Sequence, residues 1–206
     1  MRYLLLSSSL FILFGCSSPY KHLQKTTGDI NAIDKFKPII SVVLYKAEID
    51  VMGNYLGGLL LIKKMPDSST RMLFSNEMGF KFFDFEFAAD GSFKVFYVLK
   101  KLDRKAVVKT LKKDFELVLM QRLDTSNAFI RSDSIGLRYY VFPQSKGYNC
   151  YITDSTGTAL IRMERASKRK AVVTVITNNY TNGLPDTIGI THHKFDFTIG
   201  LKKIER

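Results

Sequence analysis

The chain has 206 residues, and its 31 Lys and Arg against 19 Asp and Glu give a net charge of +12. One domain of this size buries roughly 70% of its unfolded surface and does not need disulfide bonds for stability. With only two cysteines, Cys16 and Cys150, a disulfide framework is excluded. The basic charge is compatible with an anionic membrane or a solvated surface, whereas the scattered cations form no nucleic-acid-binding motif.

Residues 1–15 predict a secretory signal peptide. Arg2 precedes an apolar segment that is too short for a bilayer, which requires roughly 20 apolar residues. The sequence Leu13-Phe14-Gly15-Cys16 resembles a bacterial lipobox, which implies cleavage before Cys16 and attachment of acyl chains such as palmitate to that cysteine. Ser17 resembles the sorting preference of outer-membrane lipoproteins, so the expected location is the outer membrane, facing the periplasm. The alternative is an ordinary signal peptide or an uncleaved anchor.

Residues 16–35 contain Ser, Thr, Gly, Asp and Lys with little hydrophobic periodicity. Such a composition predicts a tether between the lipid anchor and a folded domain. The folded domain is therefore expected to comprise residues 36–206.

The folded region is rich in Val, Ile, Phe and Tyr, and turn residues interrupt it at 63–69, 90–91, 143–147, 154–157 and 178–186. This spacing predicts antiparallel hairpins in one large sheet, sandwich or barrel. In the strand predicted at 81–87, alternation places Phe83, Phe85 and Phe87 on one face, with Asp84 and Glu86 on the other, solvent-facing side. The same alternation is consistent with a solid core and with a ligand cavity.

One segment has helical periodicity. Asp103 is a favourable N-cap, and from there to about residue 122 the chain has no Gly or Pro. Apolar residues recur at helical spacing, with Leu111 and Phe115 at their centre, while lysines occupy the remaining face. We expect a helix over about 103–120 that covers one side of the sheet. The alternative is a surface helix that contacts lipid headgroups.

A family resemblance covers roughly residues 40 to 120. The stretches YKAEIDV (45–51), LGGLLLIK (56–63), RMLFSNEMG (71–79) and FDFE (83–86) are similar to the early strands of lipoprotein-localisation factors of the LolA/LolB type. The resemblance implies a mainly β fold with a few helices (α+β). It further implies that a curled antiparallel sheet forms a half-barrel and that the helix at about 103–120 covers its concave side.

The same resemblance implies a function in lipoprotein or lipid localisation, in which an apolar cavity of a monomer receives acyl chains or lipidated proteins. No cofactor is expected. The candidate cavity residues are Leu59, Leu61, Phe83, Phe85, Phe87, Phe93, Val95, Tyr97, Leu111 and Phe115.

The sequence does not indicate an enzyme. His192 and His193 are adjacent and would point to opposite faces of a strand, and no nucleophile or phosphate-loop motif is present. Asp84 and Glu86 are the one candidate pair for acid–base chemistry. Cys150 lies in an apolar run and is expected to be a buried small hydrophobe. The competing function is a scaffolding lipoprotein that binds an envelope protein through a sheet edge.

Overall fold

The computed structural model describes residues 20–121, 123–181 and 183–205. The signal peptide at 1–15 and the candidate lipid attachment at Cys16 lie outside the described residues. Within those residues, thirteen strands form one antiparallel sheet, accompanied by a 3-10 helix at Ile30–Phe36 and an α-helix, α1, at Lys105–Val118. None of the helices in this part of the chain is both long and apolar enough to span a bilayer.

Most strands that are consecutive along the chain pair with each other as antiparallel hairpins. The thirteen strands are β1 (Gln24–Lys25), β2 (Val42–Val51), β3 (Asn54–Lys64), β4 (Thr70–Ser75), β5 (Lys81–Phe87), β6 (Phe93–Val98), β7 (Phe129–Ser132), β8 (Arg138–Gln144), β9 (Gly147–Thr153), β10 (Leu160–Ala166), β11 (Ala171–Thr181), β12 (Leu184–His192) and β13 (Phe197–Lys203). Their order in the sheet is β1-β7-β8-β9-β10-β11-β12-β13-β2-β3-β4-β5-β6. The sheet is not closed, and β1 and β6 are its edges.

The sheet is curled, and α1 contacts both of its halves. Phe115 of α1 lies 6.0 Å, between ring centroids, from Phe83 of β5. The hydroxyl of Tyr151 in β9 donates a hydrogen bond to the Leu117 carbonyl at the end of the same helix, at 3.3 Å. Strands β5 and β9 belong to opposite halves of the sheet, so one short helix can contact both only because the sheet is strongly curved. The predicted single, large antiparallel sheet is confirmed.

The helix differs at its start from the sequence prediction. Its N-cap is Arg104 rather than Asp103, and the Arg104 side chain makes no capping hydrogen bond. The preceding residues form tight turns, in which the Asp103 amide donates to the Leu99 carbonyl at 3.0 Å. The predicted apolar face is present, because Leu111, Phe115 and Val118 are buried.

From residue 20 onward the predicted tether belongs to the folded domain. Leu23 and Ile33 are buried, β1 pairs with β7, and Asp29 caps the 3-10 helix by accepting a hydrogen bond from the Asn31 amide at 2.9 Å. The 16–35 boundary is therefore wrong for residues 20–35. A few apolar residues in this polar segment are enough to dock it, although they show no regular period.

A second, smaller apolar cluster lies outside the main core and includes Leu23, Val141, Cys150 and Ile152. The hydroxyl of Tyr20 donates to the Glu164 carboxylate at 2.5 Å and holds the start of the described chain beside this cluster. Cys150 is buried as expected, and burial raises the pKa of its thiol to about 12.

The turns of the sheet separate charge between its two ends. Because every neighbouring pair of strands is antiparallel, successive turns alternate between the ends. We call the end that contains turns 76–80, 99–104, 145–146, 167–170 and 193–196 the basic rim. Its cations are Lys100, Lys101, Arg104, Lys146, Lys168, Arg169, Lys170 and Lys194, and its acids are Glu77, Asp103 and Asp196. Turns 65–69, 88–92, 133–137 and 154–159 form the opposite, acidic rim and contain Asp67, Asp90, Asp133 and Asp154 without Lys or Arg.

Candidate functional site

Six of the ten candidate cavity residues lie together between the sheet and α1: Phe83, Phe85, Phe87, Phe93, Leu111 and Phe115. The phenylalanine rings of this group pack directly against one another. Phe83 stacks on Phe85 at 4.4 Å between centroids, and Phe93 contacts Phe85 at 5.2 Å and Phe87 at 5.0 Å. This interior is a packed aromatic core.

Leu59 and Leu61 do not belong to this group. Leu60 and Ile62 are the β3 residues that enter the core, while Leu59 and Leu61 face the other side of the sheet and are partly exposed. The register fixes this assignment, since Leu60 lies opposite the buried Phe74 of β4. The prediction was wrong because four consecutive apolar residues hide the two-residue period of the strand.

Val95 and Tyr97 lie on the edge strand β6, and neither is buried. An irregularity between Asp84 and Phe85 shifts the pairing, so that Val95 lies opposite Phe85 whereas Tyr97 lies opposite Asp84. Val95 is 44% exposed and Tyr97 is 43% exposed. A regular two-residue alternation along β6 therefore fails at this bulge.

Open space adjoins the aromatic core at the acidic rim. A pocket of about 470 Å³ lies between the turns after β3 and β5, the segment before β2 and the end of α1. Phe87, Leu119 and Ile40 form its apolar lining, and Lys37 and Lys64 also line it. We call it the end pocket. Phe87 belongs both to this pocket and to the ring cluster, so the pocket borders the aromatic core.

Asp84 and Glu86 occupy the opposite face of β5, as expected, but they are buried rather than solvent-facing. Arg71 of β4 donates to both oxygens of Asp84, at 2.5 Å from Nε and 3.0 Å from Nη2. The Phe96 ring lies 3.5 Å from the Arg71 guanidinium carbon and shields this group from water. The hydrogen bond to Asp84 is the main cause that raises the pKa of Arg71. Glu86 is paired with Lys94, whose Nζ lies 3.2 Å from the Glu86 Oε1. These carboxylates are therefore engaged in ion pairs.

A buried ionic cluster joins α1 to the sheet. Asp114 of α1 is fully buried. One of its carboxylate oxygens accepts a hydrogen bond from Arg165 Nη1 of β10, at 2.9 Å, and the other lies 2.8 Å from His192 Nε2 of β12. Sequence reasoning missed this cluster. The available signals were a single acidic residue beside Phe115 within the apolar face of the helix and a histidine in the alternating pattern of β12.

The two adjacent histidines point to opposite faces, as predicted. His192 is buried beside Phe197, whereas His193 is exposed and its Nε2 lies 2.8 Å from the Thr174 hydroxyl. Among the residues that the structure describes, no group of three or more His, Cys, Asp or Glu side chains is arranged to hold a metal ion.

No known protein family and no curated protein matches the sequence. Similar solved structures include a DUF1329 family protein from Desulfovibrio piger, with a TM-score of 0.45 and 9% identity over 85% of this chain and 88% of that one. They also include an outer membrane lipoprotein-sorting protein domain from Vibrio parahaemolyticus, with a TM-score of 0.52 and 10% identity over 85% of this chain and 90% of that one. The chain thus shares its fold with a lipoprotein-sorting domain.

Proposed function

We propose that this protein acts in lipoprotein or lipid localisation in the cell envelope by binding an acyl chain of a lipid or a lipidated protein. The observation that carries the proposal is the end pocket, because one of its lining residues, Phe87, also belongs to the aromatic core. Its volume of about 470 Å³ lies within the range of about 300–1,000 Å³ that is typical of ligand pockets. The fold shared with a lipoprotein-sorting domain supports the same function.

The chemistry of the end pocket suits an amphipathic chain. Burial of a methylene group is worth about 0.8 kcal/mol, so an acyl chain requires an apolar surface along much of its length. Phe87, Leu119 and Ile40 supply such a surface, while Lys37 and Lys64 supply positive charge for an anionic head. The ammonium group of Lys64 also donates a hydrogen bond to the Ser68 carbonyl, at 2.6 Å. We infer that the sheet acts as a half-barrel with α1 over its concave side. Longer chains then enter where α1 and the aromatic rings separate.

The packing of the core favours this mode of binding over a preformed cavity. Because the rings between β5 and α1 are in contact, an acyl chain beyond the end pocket must displace them. The function that we propose is binding without catalysis, carried out by a monomer that does not bind nucleic acid. Asp84 and Glu86 support that assignment, since Arg71 already occupies their oxygens.

We further propose that acylated Cys16 anchors the protein to the outer membrane, facing the periplasm. Replacement of Cys16 by serine removes the acylated thiol, and the expected result is transfer of the protein from the membrane fraction to the soluble periplasm. Cell fractionation with immunoblotting measures this transfer. Retention of the variant in the membrane would contradict a lipid anchor at Cys16.

The test of the end pocket is the substitution Ala88→Trp. Ala88 is partly exposed and lines the pocket, so an indole at this position fills space that the acyl chain requires. We expect binding of a dansylated undecanoic acid to weaken by at least about tenfold, the loss that corresponds to about 1.4 kcal/mol. Fluorescence titration of the full chain carrying Cys16→Ser measures the affinity without competition from the attached lipid.

The matched control is Ala159→Trp, which introduces the same side chain at an exposed position of the acidic rim, outside the end pocket. Its affinity should equal that of the parent chain. Failure of the parent chain to bind the probe, or an equal loss in both variants, would refute the end pocket as the acyl site.

The second candidate function, a scaffold for an envelope protein, is favoured by the edge strand β6. Val95, Phe96 and Tyr97 are 44%, 54% and 43% exposed, and an exposed apolar edge strand can pair with a strand of another protein. A scaffold of this kind does not use the end pocket. It would therefore retain its partner after Ala88→Trp, whereas the acyl carrier would lose its ligand.

A further inference from the structure

A second pocket, of about 200 Å³, lies at the basic rim between α1 and the turn that joins β8 to β9. Its lining includes five cations and one acid: Lys109, Lys112, Lys113, Lys146, Arg165 and Glu116. We call it the cationic pocket. It is separate from the end pocket, which lies at the opposite end of α1.

The charges of the cationic pocket are only partly compensated from within the protein. Arg165 is paired with Asp114 at 2.9 Å, and Lys112 with Glu116 at 3.7 Å. In the part of the chain that the structure describes, Lys109, Lys113 and Lys146 make no ion pair. Three lysines without an ion pair thus line one small pocket.

The surroundings of Lys113 disfavour its charged form. Burial lowers the pKa of its ammonium group, and the nearby cations Arg165, Lys109 and Lys146 lower it further, against the opposing effect of Glu116. A bound anion would relieve the repulsion among these cations. Ser145 and Asn149 line the same pocket and can donate hydrogen bonds to further oxygens of that anion.

The cationic pocket lies on the side of the domain that we expect to face the membrane. It adjoins the basic rim, whose turns contain an excess of Lys and Arg. Tyr20, four residues after Cys16 in the sequence, lines a cleft together with Lys168 of that rim. If Cys16 is acylated, as in the proposed function, the anchored chain enters the folded domain on the side of the basic rim.

We propose that the cationic pocket binds the phosphate group of an anionic membrane lipid. The phosphate accepts hydrogen bonds from the lysine ammonium groups that lack an internal partner, and the cations of the surrounding rim contact neighbouring headgroups. The basic rim then faces the membrane, and the end pocket at the acidic rim faces away from it.

The experiment measures binding of the full chain carrying Cys16→Ser to vesicles of phosphatidylcholine with or without phosphatidylglycerol. The pocket variant combines Lys113→Gln with Lys146→Gln, and the matched control combines Arg169→Gln with Lys170→Gln on the same rim. Each pair removes two charges, and each cation near an anionic leaflet strengthens binding several-fold. We expect phosphatidylglycerol-dependent binding to fall by about thirtyfold in the control, the loss for two surface cations, and by more in the pocket variant, which also loses its hydrogen bonds to the bound phosphate.

An equal or greater loss in the control variant would overturn the pocket, because diffuse surface charge would then explain the binding. Absence of phosphatidylglycerol-dependent binding in the parent chain would overturn it as well. Inorganic phosphate tests the source of the anion: tight, saturable binding of free phosphate without vesicle binding would identify a soluble ligand and exclude the lipid. The acyl-probe affinity of the pocket variant should be unchanged, which separates this inference from the end pocket.

Discussion

Replacement of Asp114 by alanine should lower the free energy of unfolding by about 3–5 kcal/mol, the loss typical of breaking a buried ion pair from one side. The variant leaves the guanidinium of Arg165, whose side chain is only 16% exposed, without its carboxylate. It also leaves His192 Nε2 without its contact in the core. Chemical denaturation followed by circular dichroism measures the change.

The control for Asp114 is Glu116→Ala in the same helix. Among the described residues, the Glu116 side chain forms only an i,i+4 ion pair with Lys112, at 3.7 Å, and such pairs contribute about 0.3–0.5 kcal/mol. Both substitutions introduce alanine, and Asp is a poorer helix former than Glu, so a larger loss in Asp114→Ala must come from tertiary contacts. Similar losses in the two variants would mean that the ionic cluster does not hold α1 on the sheet.

The second large effect is expected for Phe85→Glu. Phe85 has no exposed surface, and its ring contacts Phe83 and Phe93. A carboxylate at this position is buried without a partner, and we expect the free energy of unfolding to fall by about 4 kcal/mol or more. Thermal unfolding should then occur well below the transition of the parent chain.

Val95→Glu is the matched control, because Val95 lies opposite Phe85 in the sheet yet is 44% exposed. A glutamate there remains hydrated, and the cost should stay below about 1 kcal/mol. A small loss for Phe85→Glu as well would show that the interior is a hollow and not a packed core. The acyl site would then extend from the end pocket along the whole of β5.

The sequence predicts the main elements of this fold because their hydrophobic periods are long and regular. Phe83, Phe85 and Phe87 alternate with charged residues, and their common face is confirmed. Leu111 and Phe115 identify the buried face of α1 in the same way. Both patterns place apolar residues on a single face and therefore specify orientation as well as element type.

The misplaced residues lie where local pattern carries no information about orientation. Leu59 and Leu61 belong to a continuous apolar run, which fits either register of β3 equally well. Tyr97 follows a bulge that depends on the partner strand, and β1 is held by contacts with distant residues. The contacts of Asp114 join residues far apart in the sequence, so no spacing within the chain indicates them.

The central claim, that this protein binds acyl chains, is tested most directly by mass spectrometry of lipids co-purified with the full chain carrying Cys16→Ser. This variant lacks the thiol that would carry its own lipid, so any acyl chain recovered from it is a bound ligand. We expect acyl-containing lipid to co-purify with the Cys16→Ser chain and to be depleted when Ala88→Trp is added. Recovery of no lipid from the Cys16→Ser chain, or of equal amounts from both chains, would contradict acyl-chain binding.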